Sequence, residues 1–470
     1  MITRRLMAAS SVLAALLGST AKAGDDSASP SPVAVTRPGL KQVLEGSKQS
    51  KPRLPLPPLT EEDRARAEKA AANPKGGIFA GIVNNGRMRN YYLAPEFRNE
   101  FYVRPSDVGK TDPKSILRMG AGDPAMPLDP TTRIMFFWLV ARANNCYYCL
   151  GHQEVKLKAA GVTDDQLAAL DTDWSAFPPA DAAAFAFVKK LARTPQEVGD
   201  ADFDALRGHH DDAAILDMIF STGNYCAMTR WTGGLAIPQE DHRDYLTPTA
   251  AAYRQLPSLV APLDPARDAA QAVCRPSASN RPALESRQDV EARLAAARDR
   301  HPRLKLVDEE ATRKILPDHW SAAPVANWVR LLANFPEAGK ARILSVTAGA
   351  SADKGVLDPT LRAQIAWIAA RQDRAWYALG HARKRLLDLG QSDDAIFALD
   401  APDDRFSAGQ KAAFHLARKL TVDPALVTDA DVEAVRKHYS DRETAEVVYF
   451  VTVASFFDRV TEAAGLPLEF

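Results

Sequence analysis

The chain has 470 residues, and at roughly 100–200 residues per domain this length predicts two or three domains. Its 59 Lys and Arg residues balance 59 Asp and Glu residues, so the net charge gives no reason to expect binding to nucleic acid or to an anionic membrane. Hydrophobic residues at 46% are typical of a folded globular protein. Four cysteines are too few for a disulfide scaffold in a chain of this length.

The N-terminal segment has the features of a secretory signal peptide. Arg4 and Arg5 precede a short apolar run, and Ala21-Lys-Ala23 fits the small-x-small rule for cleavage. We therefore predict a signal peptide over residues 1–23, cleaved near Ala23, and an exported protein that is periplasmic or secreted. An uncleaved membrane anchor is the alternative, and both the general secretory and the twin-arginine routes stay open. No later stretch is apolar enough for a membrane span.

Two Pro- and Ser-rich stretches divide the remaining chain. We expect residues 24–75 to form a flexible tail and residues 251–300 to form a linker, because both compositions are typical of unpacked segments. The charged run Arg287–Arg303 at the end of the linker predicts a solvated helix. Elsewhere apolar residues recur at spacings of three and four, which indicates amphipathic helices. The sequence thus predicts an all-α protein with helical domains at residues 76–250 and 301–470.

An internal repeat relates the two predicted domains. Leu128-Asp-Pro-Thr131 recurs as Leu357-Asp-Pro-Thr360, which lies 229 positions later. The same offset matches several further pairs: Trp138 with Trp367, Arg142 with Arg371, Leu150-Gly-His152 with Leu379-Gly-His381, and Gly161 with Gly390. Near the C-terminus the pattern predicts a slip to 231, where Gly234-Leu235 aligns with Gly465-Leu466. We therefore expect a tandem duplication of one helical domain, with the two copies forming a pseudo-symmetric pair.

The first copy contains two closely spaced cysteines, Cys146 and Cys149, followed by His152. Asn144 or Asn145 is a good N-cap, so a helix should begin near Cys146. A helix N-terminus favours a thiolate, since its macrodipole and free N–H groups stabilise negative charge. Cys149 and His152 are neighbours at i and i+3 on this helix. Two thiols at disulfide spacing beside an imidazole predict a redox or nucleophilic site, and either cysteine could be the attacking one.

These residues resemble the motif of the carboxymuconolactone decarboxylase/alkylhydroperoxidase D-like (AhpD-like) superfamily, whose all-helical domains carry a CxxC and a histidine at a helix start. Redox-active members use the cysteines to reduce peroxides or to exchange a dithiol with a partner, whereas others are lactone decarboxylases without the pair. The resemblance implies that Cys146 and Cys149 are the redox pair and that His152 carries the proton. The family's histidine position is taken by Gln153 here, and Thr131–Trp138, where its relay glutamate would lie, contains no acid.

The second copy lacks both sulfurs. Ala375 and Ala378 stand at the positions that correspond to the two cysteines, while His381 matches the histidine of the first copy. This copy cannot perform thiol chemistry, and we expect it to be the packing partner that single-domain relatives obtain by forming oligomers. Whether the whole chain forms a homo-oligomer stays open.

The sequence leaves alternatives for the cysteine pair. A structural disulfide would add little stability because the closed ring is small, and a zinc site would need a further ligand that the sequence does not place. Haem attachment is excluded because Leu150, not histidine, follows Cys149. We therefore expect no cofactor and no metal. The expected partners are a peroxide or a thiol/disulfide compound and an unidentified reductant.

Two other function classes stay open beside the thiol oxidoreductase. One is a cofactor-free lyase or isomerase acting on a small lactone or enol acid, with His152 as acid/base and Arg142 holding the anion. The other is a non-catalytic binding protein with an unreactive disulfide. Among the other cysteines, Cys226 lies in an apolar helix and is expected to be a buried, inert thiol, whereas Cys274 lies in the linker.

Overall fold

The computed structural model describes residues 37–61, 64–65, 84–98, 123–240, 258–261, 283–317 and 324–470. The predicted signal peptide, its cleavage site and Cys274 lie outside these residues. The described residues form eighteen α-helices joined by turns and short 3₁₀ segments, with no strand, so the predicted all-α class is confirmed. None of the described helices is both long and apolar enough to cross a membrane.

Eight helices belong to the N-terminal part of the chain and ten to the C-terminal part, within the described residues. The first eight are α1 Arg37–Gly46, α2 Asn84–Tyr92, α3 Pro130–Ala143, α4 Tyr147–Ala159, α5 Asp164–Thr172, α6 Pro179–Arg193, α7 Asp200–Arg207 and α8 Asp212–Gly234. The other ten are α9 Arg287–Arg298, α10 Glu309–Ile315, α11 Asn327–Leu332, α12 Ala338–Ala350, α13 Pro359–Asp373, α14 Trp376–Asp388, α15 Asp393–Phe397, α16 Ala408–Val422, α17 Asp429–Arg436 and α18 Asp441–Ala463.

The repeated Leu-Asp-Pro-Thr sequence begins a helix in each half. The Asp129 carboxylate accepts the N–H groups of Thr131 and Thr132 at the start of α3, and Asp358 caps α13 in the same way. Proline follows the cap in both helices, where its missing N–H costs no hydrogen bond. The repeat in sequence therefore encodes the same helix start twice.

The offset of 229 persists to the end of the last helix, so the predicted slip to 231 is a misalignment. Helices α8 and α18 both contain 23 residues, and each begins and ends 229 positions from the other. The residue in left-handed conformation after each helix is Ala236, with φ of 50°, in the first half and Gly465, with φ of 61°, in the second. Glycine adopts this conformation readily and alanine does not. Aligning Gly234 with Gly465 therefore gave the wrong offset, because the corresponding turns have alanine in the first half and glycine in the second.

The longest helices of the two halves, α8 and α18, pack against each other. A side chain at Gly223 of α8 would come within 3.0 Å of Phe456 and Val460 of α18, so the glycine permits this close approach. Two buried arginines bond across the junction. Arg230 donates to the Thr421 carbonyl at 2.7 Å, and Arg459 donates to the Ala192 carbonyl at 3.0 Å. These contacts join the two halves through one continuous core.

Part of the range predicted as a flexible tail packs against the helices. Leu40, Val43 and Leu44 of α1 and Leu54 beyond it are buried, and this apolar contact orders the segment. Arg53 lies between the halves: its guanidinium donates to the carbonyls of Gly233, Gly234 and Val427. In the predicted linker, α9 carries the charged run and buries only the three apolar residues on one face.

Candidate active site

Cys146 is itself the N-cap of α4. Its sulfur accepts the backbone N–H of Cys149 at 3.4 Å, as a serine or aspartate oxygen does at other helix starts. The prediction of Asn144 or Asn145 as the N-cap is wrong. Asn144 ends α3 and Asn145 takes a left-handed conformation with φ of 48°, which turns the chain between the two helices. The cysteine therefore takes the place nearest the helix N-terminus.

The hydroxyl of Thr232 lies between the two sulfurs. Its oxygen is 2.9 Å from the Cys146 sulfur and 3.1 Å from the Cys149 sulfur. The hydroxyl also donates to the Met228 carbonyl at 3.0 Å. A hydroxyl has one proton to donate and two lone pairs, so it bonds to a thiol as acceptor or to a thiolate as donor. Thr232 can therefore follow the ionisation of either cysteine by rotating its hydroxyl.

The two thiols are free, buried and electrostatically unequal. Burial disfavours both thiolates, but hydrogen bonds from the Cys149 thiol, from Thr232 and from the Cys149 N–H lower the pKa of Cys146 below its usual value. Burial raises the pKa of Cys149 well above its usual value, and its role as donor to Cys146 and the repulsion of that charge raise it further. Cys146 is the better thiolate and Cys149 stays protonated.

His152 belongs to a buried chain of polar groups. Its Nδ1 lies 2.7 Å from the Tyr148 carbonyl, which can only accept, so this nitrogen carries a proton. Its Nε2 lies 3.2 Å from the Glu240 carboxyl group. The Tyr148 hydroxyl donates to the other oxygen of Glu240 at 2.8 Å. The imidazole and the carboxyl group thus lie within ion-pair distance of each other.

A small cleft opens onto Cys146. Its volume is about 50 Å³, enough for only a few atoms beyond a water molecule. Three parts of the chain line it: the N-terminal segment, the first half and the second half. The polar or reactive lining residues are Arg53, Asn145, Cys146, Tyr148 and Thr232. Pro424, Ala425 and Val427 form an apolar part of the wall. The second half therefore contributes part of the wall of the first half's site.

The second half repeats the polar chain without the sulfurs. Tyr377 donates to Glu469 at 2.6 Å, and His381 lies 3.3 Å from the same carboxyl group. Ala375 and Ala378 occupy the cysteine positions. Both His381 and Glu469 are about a quarter exposed, whereas the corresponding pair in the first half is buried. The histidine–glutamate contact is therefore independent of thiol chemistry.

The other residues singled out in the sequence lie in the interior. Trp138 and Trp367 are fully buried core residues, and Cys226 is a buried free thiol. Arg142 has no exposed side-chain surface and lies 3.4 Å from the Asp171 carboxylate. Arg371 has the corresponding contact with Asp400 at 2.9 Å. Both arginines connect helices.

Sequence reasoning did not find Glu240 and Thr232. Each has a counterpart exactly one repeat later, Glu469 and Thr461, so the repeat itself was the available signal. The assumed slip to 231 hid the glutamate pair. No cluster of three His, Cys, Asp or Glu side chains in the described part of the chain is arranged to hold a metal ion. No protein-family model matches the chain, and no curated protein sequence matches it significantly.

Proposed function

We propose that the chain is an exported, thiol-dependent oxidoreductase that reduces small peroxides, with Cys146 as the attacking cysteine and Cys149 as the resolving one. The observation that carries this proposal is the hydroxyl of Thr232 between two free thiols whose pKa values move in opposite directions. Cys146 also lines the cleft, where a substrate would arrive. Export rests on the N-terminal sequence alone.

The first step forms a sulfenic acid. The Cys146 thiolate attacks one oxygen of the peroxide, the O–O bond breaks, and the second oxygen leaves as an alkoxide or hydroxide that takes up a proton. The cysteine sulfur is oxidised and the peroxide is reduced to an alcohol or water. The narrow cleft favours hydrogen peroxide or a short alkyl hydroperoxide over a bulky one.

The second step forms a disulfide. The Cys149 sulfur attacks the Cys146 sulfenic acid, a new S–S bond replaces the S–O bond, and the oxygen leaves as water. The proton of the Cys149 thiol is part of that water. An external dithiol then reduces the disulfide by thiol–disulfide exchange and is itself oxidised. If thiol–disulfide exchange with a partner is the main reaction instead, it uses the same sulfurs of Cys146 and Cys149.

The polar chain supplies the proton that the leaving oxygen needs. Tyr148 lines the cleft and contacts Glu240, which faces the imidazole of His152. The imidazole lies close enough to the carboxyl group to form an ion pair when it takes up a proton, and the tyrosine hydroxyl can pass a proton toward the cleft. Direct proton exchange between His152 and Cys149 stays a prediction.

The two halves form a pseudo-symmetric pair in this proposal, with the second half as a packing partner. The reciprocal arginine bonds support it, because Arg230 and Arg459 are 229 positions apart and so are the carbonyl residues that they reach, Ala192 and Thr421. A twofold relation between two copies requires such reciprocity. The asymmetry is chemical: only one half has sulfur.

Replacing each cysteine separately tests the proposal. We expect Cys146→Ala and Cys149→Ala each to abolish turnover of hydrogen peroxide with a dithiol as reductant, because one loses the attacking sulfur and the other loses the resolving one. Cys226→Ala is the matched control, since it removes a buried thiol elsewhere and should leave turnover unchanged. Full activity in either of the first two variants contradicts the proposal.

The lyase alternative has less support from the geometry. It needs Arg142 to hold a substrate anion, but this guanidinium lies buried against Asp171 and does not line the cleft. The lyase predicts turnover of a lactone or enol acid that survives alkylation of both thiols, whereas the peroxidase predicts complete loss of activity on alkylation.

A further inference from the structure

The second half contains a large apolar cavity to which the proposed peroxidase function gives no role. Its volume is about 390 Å³, within the range of small-molecule sites. Helices α11, α12, α13, α14 and α18 form its walls, and alanine and aromatic residues make up about half of the lining. The apolar lining includes Trp328, Ala366, Ala378, Phe450 and Phe457. Ala378 stands where the first half has Cys149, so loss of the sulfur leaves room at this wall.

Positive charge predominates at the mouth of the cavity. Lys384 and Arg385 lie on the last turns of α14; Lys384 is exposed, whereas Arg385 is half-buried and donates to the Ala350 carbonyl at 2.8 Å. The buried Arg362 lines the same cavity from α13. The only acid in the exposed lining is Asp388, 3.0 Å from Lys384. An exposed pair of this kind contributes little stability, so the lysine can turn to an incoming anion at small cost. The mouth is complementary to a negatively charged head group.

Two polar atoms of the residues that line the cavity are buried without a hydrogen-bond partner within the described chain, Nε of Arg362 and Oδ2 of Asp458. Asp458 is about 1% exposed, and its Oδ2 has no hydrogen-bond partner within the described chain. Burial, followed by repulsion from the Asp373 carboxylate, raises the pKa of Asp458 well above its usual value, although Arg459 and Arg230 oppose this. This shift favours the protonated form of the carboxyl group. In its protonated form this carboxyl group, which lines the cavity, can donate a hydrogen bond to a ligand oxygen.

We propose that the second half is a binding site for a medium-chain carboxylate that carries an oxygen near its far end. Its carboxylate would lie at Lys384 and Arg385, its apolar body along the alanine and aromatic walls, and its hydroxyl or carbonyl oxygen beside Asp458. This inference goes beyond the peroxidase and does not depend on it. It gives the half without cysteines a ligand-binding role of its own.

Calorimetric titration of the full chain tests the site with three probes: ω-hydroxydecanoate, decanoate below its micellar concentration, and the uncharged decanol. We expect one molecule of ω-hydroxydecanoate to bind each chain, decanoate to bind more weakly, and decanol to bind at least roughly tenfold more weakly than decanoate. The double variant Lys384→Glu/Arg385→Glu should weaken both carboxylates by roughly tenfold or more. Ala366→Phe should abolish binding by filling the cavity.

Control variants separate the site from general effects of charge or folding. Lys437→Glu makes the same kind of charge change at an exposed position outside the lining and should leave binding unchanged. Cys146→Ala should also bind normally, so failure of the peroxidase proposal would not affect this result. Asp458→Leu should remove the preference for the hydroxylated probe. The site is refuted if no carboxylate binds or if decanol binds as tightly as decanoate. It is also refuted if neither Lys384→Glu/Arg385→Glu nor Ala366→Phe changes the affinity. Equal binding of the two carboxylates to the unsubstituted chain refutes the role of Asp458.

Discussion

Thr232 lies between the two sulfurs and can favour negative charge on either of them. It contacts both cysteines, yet it has only one hydroxyl proton to donate. When Cys146 is ionised, that proton can turn from the Met228 carbonyl toward the thiolate. When Cys146 becomes a sulfenic acid, the proton is free to return to the carbonyl. In the proposed reaction the threonine would therefore stabilise the attacking thiolate through a hydrogen bond from a neutral group.

Thr232→Val removes this hydroxyl and nearly conserves the volume. We expect the thiolate of Cys146 to lose one hydrogen bond, which raises its pKa and lowers the rate of peroxide reduction at neutral pH by roughly tenfold. Alkylation of Cys146 followed as a function of pH, together with peroxide turnover, measures both effects.

Thr461→Val is the matched control for this threonine variant. Thr461 donates to the Phe457 carbonyl as Thr232 donates to the Met228 carbonyl, but no sulfur lies beside it. Its loss should leave turnover unchanged. An unchanged pH profile in Thr232→Val would show that the hydroxyl does not stabilise the thiolate.

At this scale the sequence was enough to propose the reacting atoms but not to predict their surroundings. The spacing of Cys146 and Cys149 at a helix start was enough to predict a redox pair. Glu240 lies 88 positions beyond His152, and only the folded chain brings them together. Contacts between residues so far apart depend on how helices pack, which local patterns do not determine.

At the scale of the helices, the segments that lead into α3 and α13 each donate a backbone hydrogen bond to a buried carboxylate from the long helix of the same half. Asp217 of α8 accepts the backbone N–H of Leu128 at 3.1 Å, and Glu446 of α18 accepts that of Leu357 at 2.8 Å. Burial raises the pKa of Asp217 to about 6, even though Arg133 and the hydrogen bonds oppose this effect. The start of α3 therefore depends on a group that titrates in a mildly acidic range.

Asp217→Asn should change the pH dependence of stability. The folded chain holds the Asp217 proton up to about pH 6, whereas the unfolded chain releases it near pH 4, so the free energy of unfolding falls as pH rises through this interval. The expected fall is about 3 kcal/mol for a shift of about two pKa units. The variant should lack this fall, and urea unfolding at several pH values measures the difference.

Glu446→Gln offers a parallel test in the second half, because burial also raises the pKa of Glu446. It should remove a pH dependence of the same sign. If the stability of Asp217→Asn falls with pH as steeply as that of the unsubstituted chain, Asp217 does not titrate in the folded protein as described.

The periodicity of the helices and many of their first residues could be predicted from the sequence. Both Leu-Asp-Pro-Thr segments begin helices, and Gly161 and Gly390 take the left-handed conformation that ends a helix. The packed segment with Arg53 was not predicted, because its Pro-rich composition is equally typical of an unpacked tail. Besides its buried apolar side chains, its order depends on distant carbonyls of Gly233 and Val427, which no local pattern reveals.

For the whole molecule, the junction between the halves joins structure to chemistry. Helix α8 carries Thr232 at its C-terminal end and packs along α18. Pro424, Ala425 and Val427 of the second half complete the wall of the cleft at Cys146. The half without sulfur is thus expected to affect peroxide reduction through packing, in addition to any ligand that it binds itself.

Arg459→Met and Arg230→Met test this junction. Both remove a bond to a carbonyl of the other half, which should lower the free energy of unfolding by about 2 kcal/mol. Arg459 also lies 2.7 Å from the Asp373 carboxylate, and removing the cation from a buried pair costs about 3–5 kcal/mol. Arg459→Met should therefore be the more destabilising of the two, as measured by denaturant unfolding.

Arg405→Met is the control, since this arginine is exposed and its loss should leave stability unchanged. Equal stability of all three variants would contradict the account of the junction.

The division of labour between the two sulfurs is the central claim, and one trapping measurement tests it most directly. Cys149→Ser is treated with one equivalent of hydrogen peroxide in the presence of a sulfenic-acid trap, and the modified residue is identified by mass spectrometry. We predict a trapped sulfenic acid on Cys146, whereas the unsubstituted chain should form the Cys146–Cys149 disulfide and resist trapping. The reciprocal variant Cys146→Ser is treated in the same way. The account is contradicted if Cys149 is trapped as a sulfenic acid in Cys146→Ser while Cys146 does not react in Cys149→Ser.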